Sequence, residues 1–380
     1  MEEISRRKFL ADVSLLTGVM VCHLPFRALA QGSGNGEEDL LAVGSIDGCV
    51  YQFDLKTNRL KKKVSVGFMP HSFIQNPKQE ERVWVVSGWG NLAKEVDFRH
   101  GKVIRSWKAP SGFQIAGHGF HSSDGEKVFF SLLNLETGQG HLVGYHAATL
   151  QQTFECTVVG AMHQCHSLDD GTILLSSSGI RRPHGIPRSG PRLEKSSLVR
   201  VTGDGKVLGQ MFIDDMDQVI GHFSVASDGT IIALTCPRVG ANVSSGSIYV
   251  SQSEKFSLSK LTLPADVGSQ LHGEFFSVAI DEADNCAIAS ACGNGLVDMS
   301  AIGRGVLFDF RACKFLGVVP LLASNIAYDR ARRQFISGGN GELFRINKKS
   351  LQLERIPAGK DKLGYLRGPH SAIIRLKGTV

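Results

Sequence analysis

The sequence predicts an all-β protein: a seven-bladed β-propeller closed by pairing the C-terminal strand with the N-terminal strands. Three observations predict it. The 380 residues include 43 glycines, about 11% against a usual ~7%, and only 12 prolines. Short apolar runs are split by Asp-Gly, Asn-Gly or Gly-rich turns, the hairpin signal. One segment pattern recurs at a period near 50 residues, the size of a propeller blade.

The turns are the first element. They include Asp47-Gly48, Asp124-Gly125, Asp170-Gly171, Asp204-Gly205, Asp228-Gly229 and Asn340-Gly341. No amphipathic stretch of a dozen residues or more reads as a helix. The repeat is the second element. It is clearest where His118, His163 and His222 each open an apolar strand that runs into an Asp-Gly turn and a second apolar strand. His71, Phe275, Ala323 and His370 open the weaker copies, so successive anchors lie 45 to 59 residues apart. The termini complete the count. The chain starts with three strands, 40–43, 49–53 and 62–66, that lack an anchor strand, and it ends with an anchor strand at 370–376. Pairing the two closes a ring and removes two sheet edges.

The domain organisation follows: a targeting segment at 1–30, a flexible linker at 31–38 and the propeller at 39–380. The N-terminus reads Ser5-Arg6-Arg7-Lys8-Phe9-Leu10, then the mildly apolar stretch 11–24, then Ala28-Leu29-Ala30. An arginine pair before an apolar region and a small-x-small cleavage site is the pattern of a twin-arginine export signal. Asp12 and His23 set that region apart from a membrane span. The expected location is periplasmic, reached in the folded state, with no membrane span in the mature chain. Cleavage after Ala30 removes four basic and three acidic residues, leaving 38 against 33. That modest, scattered charge gives no case for nucleic acid. Apolar residues at 42% and charged residues at 21% are globular values, against long disorder or a polytopic membrane protein. Seven mature cysteines, an odd number without Cys-x-x-Cys spacing, read as buried thiols, with a single disulfide as the alternative at an oxidising destination.

Chemistry is expected at the channel mouth, where the innermost strand of each blade begins. Five of the seven anchors are histidine: His71, His118, His163, His222 and His370. His272 lies three residues before the Phe275 anchor. Two readings stand together. In one, each His ties a loop to its strand by hydrogen bonds. In the other, the imidazoles converge to hold an anionic ligand or a transition metal such as iron or copper, with His118, His163 and His222 as the first candidate ligands. Seven-fold geometry spreads such a ring wider than one ion requires. The long loop 176–196 of the His163 unit carries Arg181, Arg182, His184, Arg188 and Arg192 with no acid before Glu194, which favours an anionic ligand or partner. Glu136, in the matching loop of the His118 unit, is the acid expected nearest the ring. Asp214 and Asp215 read as a turn. No nucleophile elbow, phosphate loop, dinucleotide fingerprint, haem-attachment motif or zinc-protease helix is present.

Several of these segments carry a resemblance: Ala116-Gly117-His118-Gly119 with its Asp-Gly turn, Glu136-Thr137-Gly138-Gln139-Gly140, Met162-His163, the Arg-rich loop ending at Ser197-Leu198-Val199, and the closing Ser337-Gly338-Gly339-Asn340-Gly341. Over roughly residues 40–377 the chain resembles a twin-arginine-exported bacterial propeller family classed as a domain of unknown function. Its members often occur beside imelysin-type periplasmic iron-uptake proteins and a di-haem oxidoreductase. The family pattern reads Gly-Pro-His-Glu where this chain has Ala161-Met162-His163-Gln164, so no acid stands there. The resemblance implies the fold, export and an iron-uptake setting with periplasmic iron-uptake proteins as partners; it supplies no reaction. The expectation is a ligand-binding or protein-interaction module in metal acquisition. The alternative is a quinoprotein-like oxidoreductase or lyase using the same channel mouth.

Overall fold

The computed structural model describes residues 38–182, 190–239, 241, 245–252, 257–291, 303–321, 325–339, 342–357 and 371–377. The targeting segment, nearly all of the linker, His184, Ala323, Asn340-Gly341 and His370 lie outside the described residues. The described strands form seven four-stranded antiparallel sheets, the blades of a β-propeller. No helix among the described residues is long and apolar enough to cross a membrane; the single helix among them, α1 (Ala265–Gly268), is one turn.

Blade 1 closes the ring as expected. It is made of β1 (Glu38–Gly44), β2 (Cys49–Asp54), β3 (Arg59–Ser65) and the last strand, β28 (Ser371–Leu376). β28 runs antiparallel to β1, with Leu40 opposite Ile374 and Ala42 opposite Ala372. β1 starts one residue earlier than the linker boundary implied. Glu38 faces Leu376 across the ladder, and its carboxylate pairs with Lys61. β3 likewise begins at Arg59, three residues before the run 62–66, because register with β2 carries it further than apolar patterning shows.

The remaining blades follow in chain order, each from its innermost strand outward. Blade 2 is β4 (Pro70–Gln75) to β7 (Lys102–Lys108), blade 3 is β8 (Phe113–His121) to β11 (Gln152–Thr157), and blade 4 is β12 (Met162–Ser167) to β15 (Val207–Phe212). Blade 5 is β16 (Gln218–Val225) to β19 (Ser257–Lys260), blade 6 is β20 (Phe275–Asp281) to β23 (Lys314–Leu321), and blade 7 is β24 (Ile326–Asp329) to β27 (Gln352–Ile356). The glycines of the five described Asp-Gly turns all adopt φ between +70° and +89°, the region that glycine enters without strain.

Packing explains why the inner strands read as continuous apolar runs. Successive side chains point to opposite sheet faces, and each face packs on a neighbouring blade. In β5 (Arg82–Ser87), Val83 and Val85 join the core between blades 1 and 2, whereas Trp84 and Val86 join the core between blades 2 and 3. The outermost strands alternate instead. β7 buries only Trp107 fully and exposes Lys102, Lys108 and Ile104, the charged edge that blunts sheet-to-sheet pairing.

Polar side chains also cross the seams between inner strands. Ser72 Oγ donates to the Gly117 carbonyl at 2.7 Å, and Gln75 Nε2 donates to the Arg375 carbonyl at 2.7 Å. Gln164 Nε2 donates to the Phe223 carbonyl while its Oε1 accepts from the Phe223 N–H, both at 2.6 Å. Only an amide serves both groups; a glutamate here accepts alone. That is the physical content of Gln164 where the family pattern has an acid.

Candidate metal centre

The histidine anchors lie at irregularities of the inner strands. The β4 ladder skips from Pro70 to Ser72, β8 from Ile115 to Gly119, and β12 from Met162 to Cys165. Each bulge turns its histidine out of the regular pleat. β16 shifts between Ile220 and His222. Bulges leave backbone groups without a ladder partner, and serines on the second strands supply one. Ser131 Oγ accepts from His118 N–H and donates to the His118 carbonyl; Ser176 Oγ accepts from the N–H groups of His163 and Gln164.

Four consecutive blades thereby deliver four imidazoles to one place. His71, His118 and His222 are fully buried and His163 partly so. His118 Nε2 lies 3.2 Å from His71 Nε2 and 3.2 Å from His163 Nε2. One nitrogen from each of the three falls within 4.8 Å of the others. The His222 ring centre is 4.7 Å from that of His163 and 5.5 Å from that of His118. These rings are not spread around the channel by seven-fold symmetry. The bulges gather them on the side of blades 2 to 5.

Glycines make room for the cluster. A Cβ on Gly117, where φ is +107°, would stand 2.4 Å from His71 Cδ2, and one on Gly88 would stand 2.7 Å from His71 Nδ1. Burial pushes His71 down to about 3. Burial first, then the charges of His222, His71 and Arg182, holds His163 well below its ordinary value. Both rings are therefore neutral at pH 7 and offer lone pairs.

Beside the cluster is a cavity of about 20 Å³, lined by His163 and, among others, Trp89, Arg182, Cys236 and Glu274. Trp89 stacks on His163 with ring centres 5.5 Å apart and planes 8° off parallel. It does so from a left-handed backbone, φ +55°, which is strained for a bulky side chain. Arg182, 6% exposed, places its guanidinium over the Trp89 ring, 5.7 Å from the ring centre. Glu274 Oε1 lies 4.0 Å from His222 Nε2.

The other expected residues are placed as follows. His222 neighbours the cluster but lies outside the tight set of three, whose third member is His71. Arg182 lines the cavity, whereas Arg181 is exposed. Glu136 is exposed in the turn after β9 (Lys127–Asn134), where its N–H bonds Asn134 Oδ1. The acid near the histidines is Glu274, next to the Phe275 anchor, and adjacency to that anchor was its signal. Trp89, bracketed by Gly88 and Gly90, had no repeat-based signal. Cys49, Cys156, Cys236, Cys286 and Cys313 carry free thiols, and Cys292 lies outside the described residues.

The sequence matches a family described as "Protein of unknown function (DUF1513)" over residues 65–361. The chain belongs to the DUF1513 family. No curated protein matches this DUF1513 chain in sequence. Among solved structures, the chain is similar to the Kuenenia stuttgartiensis hydrazine synthase, with TM-score 0.56 and 11% identity over 83% of this chain and 90% of that one. It is also similar to the dihydro-heme d1 dehydrogenase NirN, with TM-score 0.55 and 14% identity over 96% and 82%. The Dos1 propeller gives TM-score 0.51 and 12% identity over 77% and 74%. At these identities the likeness is one of fold.

Proposed function

We propose that this DUF1513 protein is an exported, periplasmic metal-binding propeller. It holds a first-row transition ion, iron or copper, on His71, His118 and His163 and serves metal acquisition alongside periplasmic iron-uptake proteins. The observation that carries the metal reading is the pair of 3.2 Å contacts at His118 Nε2. An ion with bonds of about 2.0–2.1 Å keeps neighbouring nitrogens about 3.3 Å apart in a tetrahedral set and about 2.9 Å apart in an octahedral one. The two contacts at His118 Nε2 fall between these values, and the whole set of three lies within 4.8 Å. Hydrogen bonding accounts for it less well: a neutral imidazole nitrogen carries either one proton or one lone pair, and here one nitrogen faces two others. The export signal and the resemblance drawn from the sequence support the periplasmic, iron-related setting.

Metal analysis of protein purified from periplasm, followed by titration of the stripped protein with Fe(II) and Cu(II), tests this. The expected result is about one ion per chain, lost in the His118→Ala/His163→Ala double variant. A metal-free protein whose Fe(II) and Cu(II) titrations are equally flat in wild type and variant overturns it.

A further inference from the structure

We infer that the cavity beside His163 binds a small anion as co-ligand of the metal, with Arg182 as its counter-cation. This rests on the metal reading above. His163 belongs both to the set of three imidazoles and to the cavity wall, so a ligand in the cavity lies against one of the three rings that would hold the ion. Charge supplies the reason for an anion. Imidazole ligands that bind as neutral groups cancel none of a divalent ion's charge. Arg182 adds one positive charge at 6% exposure, and Glu274, 5% exposed and 4.0 Å from His222 Nε2, offsets at most one. Two net positive charges then stand in a buried site, an arrangement costly unless an anion offsets it. Size selects the class. About 20 Å³ admits roughly one water-sized group and excludes sugars, nucleotides and amino acids. Anions of a few atoms, such as bicarbonate, formate or azide, fit when one end sits on the metal. Trp89 contributes a flat wall and holds the guanidinium in place from its face.

Cobalt(II) is the probe for the test. Purified protein is loaded with Co(II), and its visible absorption is followed while azide and, separately, bicarbonate are added. The expected result is a saturable spectral change with both anions. Arg182→Met should weaken anion binding about tenfold or more while leaving Co(II) affinity within about threefold; Arg182→Lys should retain part of it. Circular dichroism confirms that both variants are folded. Co(II) uptake with spectra unmoved by either anion overturns this inference and leaves the metal reading standing. Equal anion affinity in wild type and a folded Arg182 variant also overturns it. Failure to take up Co(II) at all overturns both.

Discussion

Replacing Gly117 by alanine should damage the centre without removing a ligand. The backbone there has φ +107°, where a side chain costs about 1–2 kcal/mol. The new methyl would also stand 2.4 Å from His71 Cδ2 and 2.5 Å from its Nε2. The ring cannot slide away freely, because the Gly88 backbone closes its Nδ1 side and the residue is fully buried. Overpacking of this kind costs about 1–3 kcal/mol. The total of about 2–5 kcal/mol corresponds to a fall in Tm of about 3–7 °C for a chain of this size. Gly171→Ala is the internal control. Its φ is +79° and nothing lies within 4 Å of the added carbon, so it carries the backbone cost alone. Thermal unfolding by circular dichroism and Co(II) titration of both variants give the comparison. Gly117→Ala should lose the additional 1–3 kcal/mol and about 10- to 100-fold in metal affinity, as when a ligand's supporting shell is disturbed. Equal stability and unchanged Co(II) affinity in the two variants would refute the idea that Gly117 seats His71.

Two further outcomes are expected. Stability of the metal-free protein should fall between pH 7.5 and 5. His71 is held down at about 3 when folded, so only the unfolded chain takes up its proton below about pH 6.5, and the folded state loses ground as pH drops. His71 alone contributes about 2 kcal/mol at pH 5, with His163 acting in the same direction; a urea midpoint that is flat or rises over this range contradicts the assignment. In blade 2, Arg105 Nε contacts Glu95 Oε2 at 2.5 Å, and Glu95 is 2% exposed. Arg82 lies 3.8 Å from the same oxygen, so Arg105→Met together with Arg82→Met should cost about 3 kcal/mol or more, and adding Glu95→Met should restore most of it, because the cost is that of a stranded buried carboxylate; denaturant unfolding of the double and triple variants checks this.

The ring itself was legible because it depends on backbone punctuation. Asp-Gly turns and the spacing of anchor residues are local chemistry, and complementary ends such as Leu40–Val43 and Ser371–Leu376 follow from counting. The candidate site was legible only in its letters. His118 and His163 stand out as repeat equivalents, but periodicity places equivalent residues around an axis. The bulges that gather them have a faint signature in hydroxyls thirteen residues on, Ser131 and Ser176, which only the ladder register makes meaningful. Glu136 and Glu274 illustrate the same limit. Both lie in loops near anchor strands, and the path of the backbone alone decides that one sits in an exposed turn capped by Asn134 while the other lies 4.0 Å from His222.

The side-chain bridges across the blade seams have a mechanical consequence. Gln164 acts as an extra rung laid between two sheets that share no strand, and Ser72 does the same one seam from His163's blade. The imidazoles hang from inner strands clamped to each other in this way, so their spacing is stored in the ring rather than in loops that can breathe. Such a centre behaves as a calliper. On the metal reading proposed above, an ion that prefers bonds near ~2.4 Å works against close-packed seams between blades, so the ring weighs radius as well as donor type.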